Sequence, residues 1–67
     1  MAVARVTELT ASSIKGFENA VEEGFERAKK TLRGITGIEV VNMRVAVENN
    51  EIKEYRVRMK VTFILES

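Results

Sequence analysis

Hydrophobic and polar positions change their spacing twice along the chain, and each change marks an element. Residues 2–10, AVARVTELT, mix apolar with polar positions and are rich in β-branched side chains, which predicts a strand. ASS then breaks that pattern, and Ser13 is placed to cap a helix N-terminus with its hydroxyl. From Ile14 the apolar positions recur at three and four residues. Ile14, Phe17, Val21, Phe25, Ala28 and Leu32 form one stripe of a helix, and charged residues occupy most of its remaining surface. Acidic residues dominate the earlier turns and basic ones the last, as the helix dipole favours, and Glu26 stands four residues before Lys30 as an attractive pair. Gly34 follows the last basic residue and is expected to close the helix in a left-handed conformation.

From Ile38 the period becomes two. In IEVVNMRVAVE, strict alternation puts Val41, Met43, Val45 and Val47 on one face and Ile38, Val40, Asn42, Arg44, Ala46 and Glu48 on the other. ENNE reads as a tight turn, because Asn49 and Asn50 tolerate positive φ. The last run alternates most cleanly. Tyr55, Val57, Met59, Val61, Phe63 and Leu65 share one face, against Glu54, Arg56, Arg58, Lys60 and Thr62. The order is β-α-β-β, an α+β fold in which a three-stranded antiparallel sheet packs on one helix. The helix stripe and the Tyr55-to-Leu65 face make the core. The other sheet face, with Arg44, Arg56, Arg58 and Lys60, meets water, a partner subunit or a ligand.

Composition narrows the function. A chain of 67 residues is one domain, and one this small buries only about 60% of its unfolded surface, so it calls for additional support. Cysteine and histidine are both absent, which removes disulfides and thiolate or imidazole metal sites and leaves oligomerisation as the most economical source of buried area. Oxygen-only sites for hard cations stay open, given 10 acidic residues. The net charge of +1 provides no electrostatic footprint for nucleic acid or an anionic membrane. No apolar run is long enough to span a bilayer and no signal peptide opens the chain, so a cytoplasmic protein is expected.

Enzyme chemistry lacks its usual parts: no His or Cys and no phosphate-cradling glycine loop. Glu22, Glu23 and Glu26 read as a solvated helix face. The arginines are better candidates. With Lys60 they suit phosphate or carboxylate, the arginines through their planar forks, although an exposed face, or one paired with acids across a subunit contact, is the simpler account of them taken alone.

The ordered set of motifs resembles the dodecins, small β-α-β-β proteins that assemble as hollow dodecamers. The resemblance rests on SSIKGFENAVEEGFERAKKTLRGITGIEVV followed by IKEYRVRMKVTFILE. Within these, Ser13, Phe17, Glu18 and Ala20 open the helix, Glu39-Val40-Val41 starts a strand, and Tyr55-Arg56-Val57 runs on to Val61-Thr62-Phe63. It covers nearly the whole chain and implies a single dodecin-like domain over residues 1–67. It also implies a homododecamer and a non-catalytic binding or storage role, with neither nucleic acid nor membrane as partner. FMN or riboflavin is the ligand it points to first, held at Gly37, Asn42, Arg44 and Arg56 and neighbouring strand residues. By the same resemblance, Gly37 stands where flavin-binding dodecins carry a stacking tryptophan, Arg56 where they carry a glutamine, and Asn42 where some carry an acid that contacts the ribityl chain. A subgroup that lacks the tryptophan and carries Arg in the last strand is resembled here, and some of its members bind calcium. A flavin-free structural or calcium-binding assembly is therefore the alternative.

Overall fold

A computed structural model describes residues 3–65. Four elements follow in order: β1 (Val3–Ser13), α1 (Phe17–Lys29), β2 (Ile35–Glu48) and β3 (Glu51–Leu65). They form the expected β-α-β-β arrangement. The sheet is antiparallel throughout and its order is β1-β3-β2, so the last strand is the central one.

The first strand runs through ASS and ends only at Ser13; the first residue of the expected strand, at position 2, lies outside the described residues. Ser13 does not cap the helix. Its hydroxyl donates to Asn19 Oδ1 at 2.5 Å and accepts the Lys15 N–H at 2.9 Å, tying the loop to the first helical turns. The N-cap is Gly16, with φ of 155° and no side-chain bond, a backbone region that glycine alone adopts readily. Helix α1 therefore starts three residues later than the apolar stripe implies, and Ile14 is 80% exposed.

The helix also ends sooner. Lys30 is its C-cap, and Thr31 and Leu32 donate their N–H groups to the Ala28 carbonyl. Gly34 does take a left-handed φ of 71°, but five residues beyond the last helical one, Lys29. Its carbonyl accepts the Ile64 N–H at 3.0 Å, so it fastens the entry of β2 to the end of β3 rather than capping α1. Glu26 pairs with Lys29 at 3.3 Å instead of with Lys30, which lies past the helix end.

The core forms between α1 and the odd-numbered face of β3. Val57, Met59 and Val61 are fully buried, together with Ala20 and Ala28; Phe17, Val21, Leu32 and Leu9 pack around them. Phe17 meets Tyr55 edge-on at 5.1 Å, within the range where aromatic pairs add to burial. Ala20 and Gly24, absent from the apolar stripe, face the sheet because the helix approaches it there. A Cβ on Gly24 would stand 2.7 Å from Met59 Cε and 3.2 Å from Ala11 Cβ.

One face assignment changes. The pairing of β2 with β3 shifts register between Val40 and Asn42, where Val41 is the extra residue of a bulge. Val40 pairs with Met59 and Ile38 with Val61, while Met43 pairs with Val57 and Val45 with Tyr55. Directly paired residues project to the same side, so Ile38 and Val40 lie on the helix side with Met43 and Val45, not with Arg44. Helix α1 covers β1 and β3 and scarcely reaches β2. The helix-side strip of β2 is thus largely bare: Val40, Met43, Val45 and Val47 are 41–63% exposed, as is Ile52 across the turn. The β2–β3 turn has Asn49 and Asn50 at φ of 53° and 63°, as its sequence implies. The hairpin lengthens the subunit to 51 Å against a thickness of 14 Å.

Candidate functional site

The face of the sheet turned away from α1 is built in rows. The register aligns Glu8, Lys60 and Glu39; then Thr10, Arg58 and Asn42; then Ser12, Arg56 and Arg44. The last two rows enclose a pocket of about 130 Å³ lined by Thr10, Asn42, Arg44, Arg56 and Arg58. Three guanidinium groups meet there and no carboxylate lines it. Arg56 donates from Nε to Glu54 Oε2 at 2.6 Å, which leaves its other N–H donors uncommitted by that bond. Arg44 and Arg58 make no ion pair among the described residues; besides Arg56–Glu54, the ion pairs found there are Glu26–Lys29 and Glu48–Lys53.

A second cavity lies on the other side of the sheet, where α1 stops short of β2. It is an open, mainly apolar cleft of about 430 Å³ between Val21, Glu22 and Phe25 of the helix and Ile35, Thr36, Gly37 and Ile38 of β2. Gly37 is exposed, pairs with Thr62, and a Cβ built on it meets no atom within 4 Å.

The structure therefore brings Asn42, Arg44 and Arg56 of the expected site together in one pocket and places Gly37 apart from them, at the rim of the cleft. Thr10 escaped the sequence reading, because only the pairing of β1 with β3 puts it beside Arg58. The cleft escaped it as well, since its walls are ordinary apolar positions whose meeting depends on where the helix ends. Among the described residues, no three acidic side chains come close enough together to hold a metal ion within one subunit. No helix among them is long and apolar enough to cross a membrane.

Comparison with known proteins bears on what such a subunit is. The family model for dodecin matches residues 3–66. The chain belongs to the dodecin family. The dodecin of Thermus thermophilus is 38% identical over 64 residues, spanning 96% of this chain and 93% of that protein. Among solved structures, the dodecin from Streptomyces davaonensis superposes with a TM-score of 0.93 at 33% identity, covering 98% of this chain and 97% of the other. A calcium-chelating antigen of Mycobacterium tuberculosis, a calcium dodecin with its own calcium-binding site, superposes at 0.84 with 26% identity, covering 96% and 91%. A tryptophan-to-phenylalanine variant of the Thermus thermophilus dodecin superposes at 0.93 with 36% identity over the full length of both chains. That relative naturally carries a tryptophan, and this dodecin has none. The two β-faces of the subunit thus differ sharply: a cationic pocket on one, a bare apolar strip and cleft on the other.

Proposed function

We propose that this dodecin is a non-catalytic binding and storage protein, one domain per chain, that assembles as a homododecamer and holds a flavin-type small molecule, FMN or riboflavin, between copies. The observation that carries the binding role is the convergence of Asn42, Arg44 and Arg56 in one pocket on a subunit of this family. Assembly is supported by the bare strip of Val40, Met43, Val45, Val47 and Ile52, since a subunit this small exposes apolar surface of that extent at a stability cost that burial against copies removes. The pocket is smaller than the ~300 Å³ at which sites for drug-sized ligands begin, so a tricyclic ring lies in space shared with another copy and the arginines hold polar parts of the ligand. Gly37 provides no stacking surface, which weakens ring binding relative to tryptophan-bearing relatives.

The test is a mass measurement joined to a titration. Light scattering should report twelve times 7.6 kDa, about 91 kDa, and riboflavin fluorescence should be quenched saturably by the purified protein. A stable monomer sinks the assembly; undiminished fluorescence at excess protein sinks the flavin ligand.

The likeness to a calcium dodecin favours a second reading, a flavin-free assembly that binds calcium. No single subunit gathers three acidic groups, so carboxylates of more than one copy would have to meet at the ion. Calcium titration of a flavin-negative assembly separates the two readings.

A further inference from the structure

The apolar cleft between α1 and the start of β2 differs from the bare strip beside it, because one of its edges is charged. Val21, Phe25, Ile35 and Ile38 line it and are each half-buried. Its volume of about 430 Å³ falls within the range of small-molecule sites, about 300–1,000 Å³. Glu22 stands at its edge and also lines a second hollow on the helix surface, with Asn19, Glu23 and Glu26. Phe25 is the other residue common to both, so the two hollows meet along Glu22 and Phe25. Among the described residues Lys29 pairs with Glu26 at 3.3 Å, and Glu22 makes no ion pair. Its neighbours one helical turn away on either side, Glu18 and Glu26, carry the same charge, a spacing that opposes helix formation. The strip assigned to contacts between copies begins at Val40 and runs toward the hairpin turn, beyond the end of the cleft at Ile38.

We propose that this cleft binds a small organic cation with an apolar body, of the size of a phenylalkyl or short alkyl amine. The body is buried against Val21, Phe25, Ile35 and Ile38, and the protonated nitrogen lies at the edge, against the Glu22 carboxylate. That carboxylate selects a cation over a neutral or acidic molecule of the same shape. The Phe25 ring adds to the attraction, as it does for Lys29, whose Nζ stands 5.3 Å from the ring centroid. No three acidic side chains converge among the described residues, so the site suits one ammonium group rather than a metal ion. A bound cation also relieves the repulsion along Glu18, Glu22 and Glu26. The cleft is on the opposite side of the sheet from the arginine pocket, and the inference does not depend on what that pocket holds.

The experiment is titration of the intact protein, followed by methyl NMR, with three molecules of one shape: 2-phenylethylammonium, 2-phenylethanol and 3-phenylpropanoate, at fixed ionic strength. Saturable shifts of the Val21, Ile35 and Ile38 methyl groups are expected with the ammonium compound. The alcohol should bind about three- to fivefold more weakly, as the loss of an exposed ion pair implies, and the carboxylate more weakly still. Glu22→Gln should abolish the preference for the ammonium compound over the alcohol while leaving the alcohol's own affinity in place. Glu51→Gln, on the hairpin and outside the cleft, should leave that preference within about twofold. Three results overturn the site. Unmoved cleft methyl groups at saturating ammonium compound would mean that a second copy already covers the cleft. Equal loss of preference in Glu51→Gln and Glu22→Gln would mean diffuse attraction. Binding of the carboxylate as tightly as the ammonium compound would leave Glu22 no part in selection.

Discussion

Arg44 and Arg56 face each other directly across β2 and β3, and only Arg56 has an acidic partner, Glu54, at 2.6 Å. Two cations in directly opposed positions weaken the pairing between their strands. Replacing Arg44 with Thr should therefore raise stability by about 0.2–1 kcal/mol in low-salt buffer free of phosphate. The gain should shrink at high salt, where both charges are screened. Urea midpoints at two ionic strengths check this; a stability loss at low salt would mean that Arg44 already has a compensating partner in the assembly.

Gly37 offers room that nothing fills. Its backbone is not left-handed, and a Cβ on it touches nothing within 4 Å. Gly37→Trp should fold and, by supplying an aromatic platform, tighten riboflavin binding roughly two- to tenfold, read as fluorescence quenching. Unchanged quenching in a correctly folded variant would place the ring elsewhere.

Gly24 is the opposite case. Alanine ordinarily improves a helix by about 1 kcal/mol over glycine. Here its Cβ would press on Met59 Cε and Ala11 Cβ in the core. Overpacking costs about 1–3 kcal/mol. Gly24→Ala should therefore lower stability by about 1 kcal/mol net, measured by chemical denaturation. A rise in stability would show that the Met59 side chain swings aside without cost.

Two methionines on one sheet face should behave differently. Met59 is fully buried within the subunit, and Met59→Ala should cost about 2–5 kcal/mol. Met43 is 58% exposed on the strip that α1 does not cover. Met43→Glu should leave the circular dichroism spectrum of the subunit in place while shifting light-scattering mass toward smaller species. An unchanged mass would exclude this strip from the contacts between copies.

Much of this was legible in residue order, and the exceptions have physical causes. The Tyr55-to-Leu65 alternation identified the buried residues of β3 because that stretch carries no extra residue and is covered on one side only. In β2 the same reasoning misplaced Ile38 and Val40, since one bulge at Val41 reverses the parity on either side of it. Helix α1 was found from its large apolar residues. Ala20 and Gly24, at the closest approach to the sheet, carry little or no hydrophobic signal of their own. The helix ends differ from the pattern because Ser13, although suited to a cap, ends β1 and bonds Lys15 and the Asn19 side chain, while Gly34 fastens the entry of β2 to β3. At the candidate site, Asn42, Arg44 and Arg56 were named from type and resemblance. That Thr10 joins them follows from strand register, which short-range patterns do not encode, whereas Gly37, paired with Thr62 on the same sheet face, lies two rows from Asn42 and outside the pocket.

The order β1-β3-β2 has a consequence for how the protein is made. Because the central strand is the last of the three to be synthesised, no rung of the sheet can form while β1, α1 and β2 are leaving the ribosome. Both outer strands must wait as unpaired segments, and when β3 emerges the nearby turn at Asn49 and Asn50 lets β2 pair first. β1 closes last, joining positions as distant as Val3 and Leu65. Amides of β2 should gain protection from exchange before those of β1 during refolding, and protection of β1 first would reverse that order.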